Sequence, residues 1–161
     1  MLSKLRFAIL AAALPLSAYA AVTPTPQVAA VSKLYEAFAY EAVVDYPVGP
    51  GFIDQSKEVL LRYITPELYE LIHRDRVCTT TTHEICRLDF VPLWGNQDPS
   101  GTTVSFEAGK SRNTVVANLR IGSDSSKLTY SLVQTKDGWR VDNISYDKWH
   151  SNLKKILSPT P

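Results

Sequence analysis

Val115-Val116-Ala117-Asn118-Leu119-Arg120-Ile121-Gly122-Ser123-Asp124-Ser125-Ser126-Lys127-Leu128-Thr129-Tyr130-Ser131-Leu132 carries a period of two on both sides of a polar turn. Val115, Ala117, Leu119 and Ile121 alternate with Val116, Asn118 and Arg120, and Leu128, Tyr130 and Leu132 resume the pattern after Gly122-Ser123-Asp124. A strand sends successive side chains to opposite faces, so the stretch predicts two half-buried strands joined by a short turn. The same period continues outward. Val104 and Phe106 alternate with Thr103, Ser105 and Glu107, and after Lys136-Asp137-Gly138 come Trp139 and Val141 against Arg140 and Asp142. Four closely spaced strands predict an antiparallel meander.

Upstream the spacing becomes helical. Val28, Val31, Leu34, Tyr35, Phe38 and Ala42 share one face of a helix that is expected to stop before Tyr46-Pro47, with Gly49-Pro50-Gly51 as a loop. Asp54 or Ser56 can cap a second helix carrying Val59, Leu60, Leu61 and Tyr63. Thr65-Pro66-Glu67 predicts a third, with Thr65 as cap and Pro66 at its first position, running to about Asp75 or Arg76. At the other end Trp149, Leu153, Ile156 and Leu157 predict a last helix, with Lys148, Lys154 and Lys155 solvated on its far face. Helices first and an antiparallel sheet afterwards make the fold class α+β, with the helices on one face of a curved sheet.

The chain has 161 residues, and residues 1–20 have the build of a signal peptide: Lys4 and Arg6, an apolar run from Phe7 to Leu16, then Ser17-Ala18-Tyr19-Ala20. That run is too short for a bilayer core, which needs roughly 20 residues, and no later segment is apolar enough, so no transmembrane segment is expected. Residues 21–27, with Pro24 and Pro26, read as an extended stalk, and 28–161 as a single domain. Export to a bacterial periplasm follows as the expected location. Without Lys4 and Arg6, 17 basic residues become 15 against 16 acidic ones, a net charge of −1. Such a balance excludes a strongly basic nucleic-acid-binding surface.

Cys78 and Cys86 are the only cysteines, separated by Thr79-Thr80-Thr81-Thr82-His83-Glu84-Ile85. In an oxidising compartment they are expected to pair, closing a loop worth roughly 2.5 kcal/mol in the chain-entropy account. A rival reading takes Cys78, His83 and Cys86 as three metal ligands, but a fourth is not evident. His83 is the one histidine singled out for a binding role; His73 and His150 read as solvent-facing.

The segment Arg87 to Asp98 sets Phe90, Leu93 and Trp94 beside two carboxylates in what reads as a loop, and apolar residues in a long loop imply that it is tied down. Asp89 and Asp98 can be a general acid/base pair at a pocket mouth, with Trp94 as a stacking surface and Gln97 as an orienting group. They can equally be loop-closing carboxylates, Asp98 above all because Pro99 follows it. Arg120, Arg140 and Asp142 fall on one parity and either line a polar cavity with Asn118 and Tyr146 or form a solvated sheet face. No nucleophile elbow, zinc-protease helix, phosphate loop or dinucleotide fingerprint occurs, so no cofactor and no metal are expected.

Three stretches carry a resemblance: Leu60-Leu61-Arg62-Tyr63-Ile64-Thr65-Pro66-Glu67-Leu68, Asp89-Phe90-Val91-Pro92-Leu93 with Gln97-Asp98, and Gly138-Trp139-Arg140-Val141-Asp142-Asn143-Ile144. Together they resemble a family of small exported bacterial proteins and lipoproteins, a domain of unknown function. The family has the cone-shaped fold of nuclear transport factor two. The Thr-rich cysteine loop departs from the family pattern, and no lipidation cysteine follows the predicted cut. The resemblance implies a bent sheet wrapped around the first helices, with a pocket at its open end. The functional expectation is a non-enzymatic periplasmic binding protein that holds a protein partner or small ligand at the cone mouth. Its specific version is an immunity protein neutralising a periplasm-acting toxin such as a cell-wall hydrolase. The alternative is a small-molecule enzyme using Asp89 or Asp98 as acid or base.

Overall fold

A computed structural model describes residues 23–43 and 49–158; the predicted signal peptide lies outside them. The first helix, α1 (Pro26–Phe38), starts two residues before Val28, because Thr25 accepts a hydrogen bond from the Val28 N–H at 3.3 Å and Pro26 takes the first position. Pro26 and Gln27 are thus helical rather than part of a stalk. A short α2 (Tyr40–Val43) follows, then a 3₁₀ turn (Phe52–Asp54) and α3 (Lys57–Leu60) with Ser56 at its cap.

The long helix α4 (Pro66–Thr82) opens as its Thr-Pro-Glu signal predicts, with the Leu68 N–H donating to Thr65 Oγ1 at 3.3 Å. It does not stop near Asp75 or Arg76. Thr79, Thr80, Thr81 and Thr82 each turn a hydroxyl back onto the carbonyl one turn earlier, of Asp75, Arg76, Val77 and Cys78. Their polar groups are satisfied inside the helix, and it ends only at His83, whose left-handed φ of 59° lets its N–H close on the Thr79 carbonyl. The expected loop between the cysteines is therefore mostly a last helical turn. Cys78 and Cys86 form a disulfide across 6.2 Å between Cα atoms, so they are not metal ligands. A disulfide of this kind fits an oxidising, exported compartment.

Five strands follow: β1 (Thr103–Ala108), β2 (Thr114–Ile121), β3 (Asp124–Thr135), β4 (Gly138–Tyr146) and the two-residue β5 (Ser151–Asn152). They pair antiparallel in sequence order as one open sheet. Val104 lies opposite Leu119, Ala117 opposite Leu128, and Tyr130 opposite Ile144, which puts the predicted apolar parity of each strand on one face. Strict alternation fails once. A bulge between Ser131 and Leu132 sets Ser131 against Asn143 and Leu132 against Val141, so Val141 and Ile144 both point inward, three residues apart.

The inner face receives Val31, Leu34, Tyr35 and Phe38 of α1, and Tyr35 sits edge-on to Phe106 and Tyr130 at 5.0 and 5.9 Å between ring centroids. Beyond β4, the Thr65 N–H donates to the Val141 carbonyl and the Val141 N–H to the Tyr63 carbonyl, making Ile64 a parallel bridge along that strand. The last helix, α5 (Leu153–Leu157), is shorter than its apolar spacing predicts. Ser151 and Asn152 pair with β4 instead, Asn152 caps α5 by accepting from the Lys155 N–H at 3.0 Å, and Trp149 falls in the preceding turn, packed on Phe90 and Tyr146. Lys154 is no solvated lysine: its Nζ donates to Asp142 and to Glu67, each at 2.8 Å, binding α5 to β4 and α4. Among the described residues, no helix is long and apolar enough to cross a membrane.

Candidate functional site

The segment between α4 and β1 is irregular in backbone but firmly held. The Val91 N–H donates to the Asn96 carbonyl at 2.8 Å, and Gly95 supplies the positive φ of 61° that the tight turn requires. Three core tyrosines reach it from below. Tyr35 donates to the Leu93 carbonyl and shares its hydroxyl with Tyr130 at 2.8 Å, while Tyr146 donates to the Pro92 carbonyl at 3.1 Å. Burial pushes all three phenols above their ordinary value, so each remains a protonated donor.

Trp94 is 3 % exposed, with its ring edge-on to Tyr35 at 5.0 Å. It is a core side chain, not the ligand-stacking surface its place in a polar loop suggested. Its indole N–H donates to Glu41 Oε2 at 3.2 Å, and Glu41 Oε1 accepts from the Phe52 N–H at 2.7 Å. One carboxylate from α2 thus ties the 3₁₀ turn to the Trp94 segment. Gly51 makes room for it, since a Cβ there would stand 2.9 Å from Glu41 Oε1. Burial raises the Glu41 carboxyl above its ordinary value; the Phe52 and Trp94 hydrogen bonds oppose that rise and the nearby Asp54 charge adds to it.

Between α2, the 3₁₀ turn and this segment lies a pocket of about 500 Å³. Ile53, Phe90, Val91 and Pro92 make its apolar walls, and Glu41, Asp54, Gln97 and Asp98 bring the polar atoms. Of the residues singled out in the sequence, the pocket therefore gathers Gln97 and Asp98. Asp89 is exposed and lies outside the lining, accepting from Gln97 Nε2 at 3.4 Å. Asp98 Oδ1 accepts from the Ser100 N–H at 3.1 Å, the loop-closing bond of its turn. The two aspartates do not face each other across a shared space.

The remaining candidates are dispersed. His83 is the exposed end of α4. Arg120 is exposed and lines a separate groove with Asn118 and Lys127. Arg140 donates through Nε to the Leu61 carbonyl at 3.0 Å, and Asp142 accepts from Thr65 Oγ1 at 3.0 Å and from Lys154. Of the two readings for Arg120, Arg140, Asp142, Asn118 and Tyr146, the exposed sheet face describes Arg120, and a shared polar cavity does not form: the bulge sets Tyr146 on the opposite face from Arg140 and Asp142, and Tyr146 is buried in the core. Glu41 escaped sequence reasoning, although a carboxylate between Phe38 and Ala42, on the edge of an apolar helical face, was its available signal.

No protein-family model matches the chain, and no curated protein sequence matches it. Among solved structures, the chain is similar to a phospholipid-binding protein from Ralstonia solanacearum, determined in complex with a phospholipid. The identity is 14 %, over 84 % of this chain and 72 % of that one, with a TM-score of 0.38.

Proposed function

We propose that the protein, in keeping with the small exported family its motifs resemble, is a periplasmic binding protein that holds a small ligand in the pocket walled by Ile53, Phe90, Val91 and Pro92. The pocket itself carries this reading: about 500 Å³ lies within the roughly 300–1,000 Å³ usual for small-molecule sites, and its lining mixes apolar walls with a few polar groups. Its far wall is fixed before any ligand arrives, by tyrosine hydroxyls on the Pro92 and Leu93 carbonyls and by Glu41 on Trp94. Such pre-organisation lowers the ordering cost of binding. The enzymatic alternative draws no support from the placement of Asp89 and Asp98. Mass spectrometry of the native protein recovered from periplasm tests the binding role. A small-molecule adduct on the wild type that is absent from a folded Ile53→Trp variant is the expected result. No adduct, together with equal thermal shifts of both proteins across a library of small amphiphiles, would overturn it.

A second reading, the immunity protein that blocks a cell-wall hydrolase, is favoured by the stapled end of α4, where Ile85 is 71 % exposed next to the disulfide. A rigid apolar tip suits insertion into a partner's cleft. Ile85→Asp should then abolish protection of cells exporting such a toxin; undiminished protection rejects this version and leaves the pocket reading intact.

A further inference from the structure

We infer that the ligand of this pocket is a small organic cation: an ammonium group carried on an apolar body. The inference rests on the binding role proposed above and goes further, to the chemistry of the ligand. Among the described residues, three carboxylates, Glu41, Asp54 and Asp98, contribute to the lining, and no Lys, Arg or His does. Asp54 is paired with Arg76. Glu41 and Asp98 have no ion-pair partner among the described residues, so the pocket keeps an uncompensated negative charge.

Low-dielectric walls concentrate such a field, which favours cations and repels carboxylates or phosphates of otherwise suitable shape. Glu41 spends one hydrogen bond on each oxygen, whereas a carboxylate offers about four acceptor sites, so capacity remains for an ammonium donor. A cation beside Glu41 would also offset the burial that now disfavours its charged form.

The disposition of the acids argues against a bare metal ion. Among the described residues, no group of three or more His, Cys, Asp or Glu side chains stands close enough to hold one. Acids spread around a space of about 500 Å³ instead suit a charge attached to a body that fills the rest. Ile53, Phe90 and Pro92 supply the surface for that body.

Calorimetry with three matched series, the hexyl, octyl and decyl primary ammonium ions, alcohols and carboxylates, tests the inference on the mature protein. The ammonium series should bind at least about tenfold tighter than the alcohols, and the carboxylates weakest. Asp98→Asn, at an exposed turn, should reduce that preference, and Glu41→Gln with Asp98→Asn should erase it while alcohol binding persists. Equal affinity of ammonium and alcohol, or a preference that survives the double substitution, overturns the inference and leaves the small-ligand reading standing. If no series binds, and the native protein carries no adduct, both fall together.

Discussion

Residues 78–86 and 89–99 are neighbours in the chain, both between the body of α4 and β1, yet they are held by opposite means. The first is closed by one covalent bond at the surface, and its residues from Thr80 to Ile85 are exposed. The second has no crosslink and is drawn into the core by Leu93, Trp94 and the hydroxyls of Tyr35 and Tyr146. Between them the Arg87 N–H donates to Asp75 Oδ1 at 2.8 Å, a side chain only 4 % exposed, which isolates one segment from the other. A staple fixes a shape locally; tethers to the core make a loop share the stability of the whole domain and let it form one wall of a pocket.

The sharpest way to break this contrast is Leu93→Ala, at a residue with 0 % exposure. Emptying that position should cost about 3 kcal/mol in urea unfolding and weaken ligand binding with it. A loss below about 1 kcal/mol would mean that the loop is not part of the core. Next, Cys78→Ser with Cys86→Ser should cost about 2 kcal/mol and leave pocket affinity unchanged, since the Asp75 contact still anchors Arg87. Equal losses of stability and affinity would show that the two segments act as one.

The smallest effect concerns pH. Because burial holds the folded-state carboxyl of Glu41 above its unfolded value, the stability linked to it is fully present below the unfolded value and is lost as pH rises through the folded one. Glu41→Gln should flatten that decline by less than about 1 kcal/mol, read from paired urea melts across the acid range. Superimposable profiles would separate Glu41 from the Trp94 wall.

Much of the frame was legible in residues 103–141, where a period of two marked four strands and their buried parity. Thr65-Pro66-Glu67 likewise announced α4. What failed did so where side chains satisfy the backbone in ways composition does not encode. Four threonines look like a loop until each hydroxyl finds a carbonyl one turn back, and Lys148 to His150 look helical until β5 claims the next two residues. The site divides in the same way. Gln97 and Asp98 could be singled out because turn residues beside apolar ones are conspicuous. Trp94 was misplaced outward and Glu41 passed over because their mutual bond joins positions 53 apart in sequence. Only the folded chain brings those two groups together.

The bridge of Ile64 onto Val141 has a consequence for self-association. Together with β5 it occupies the free side of β4, and Asn143 closes the interval by donating to Asn152 Oδ1 and accepting from the Lys154 N–H. A strand covered in this way cannot recruit a further chain along that stretch. Among the described residues, the sheet ends in the six-residue β1 on one side and in the two-residue β5 on the other. A two-residue edge offers little backbone for strand addition, so β1 is the longer template of the two. The same segment that delivers the chain to α4 therefore covers the part of β4 that β5 is too short to reach.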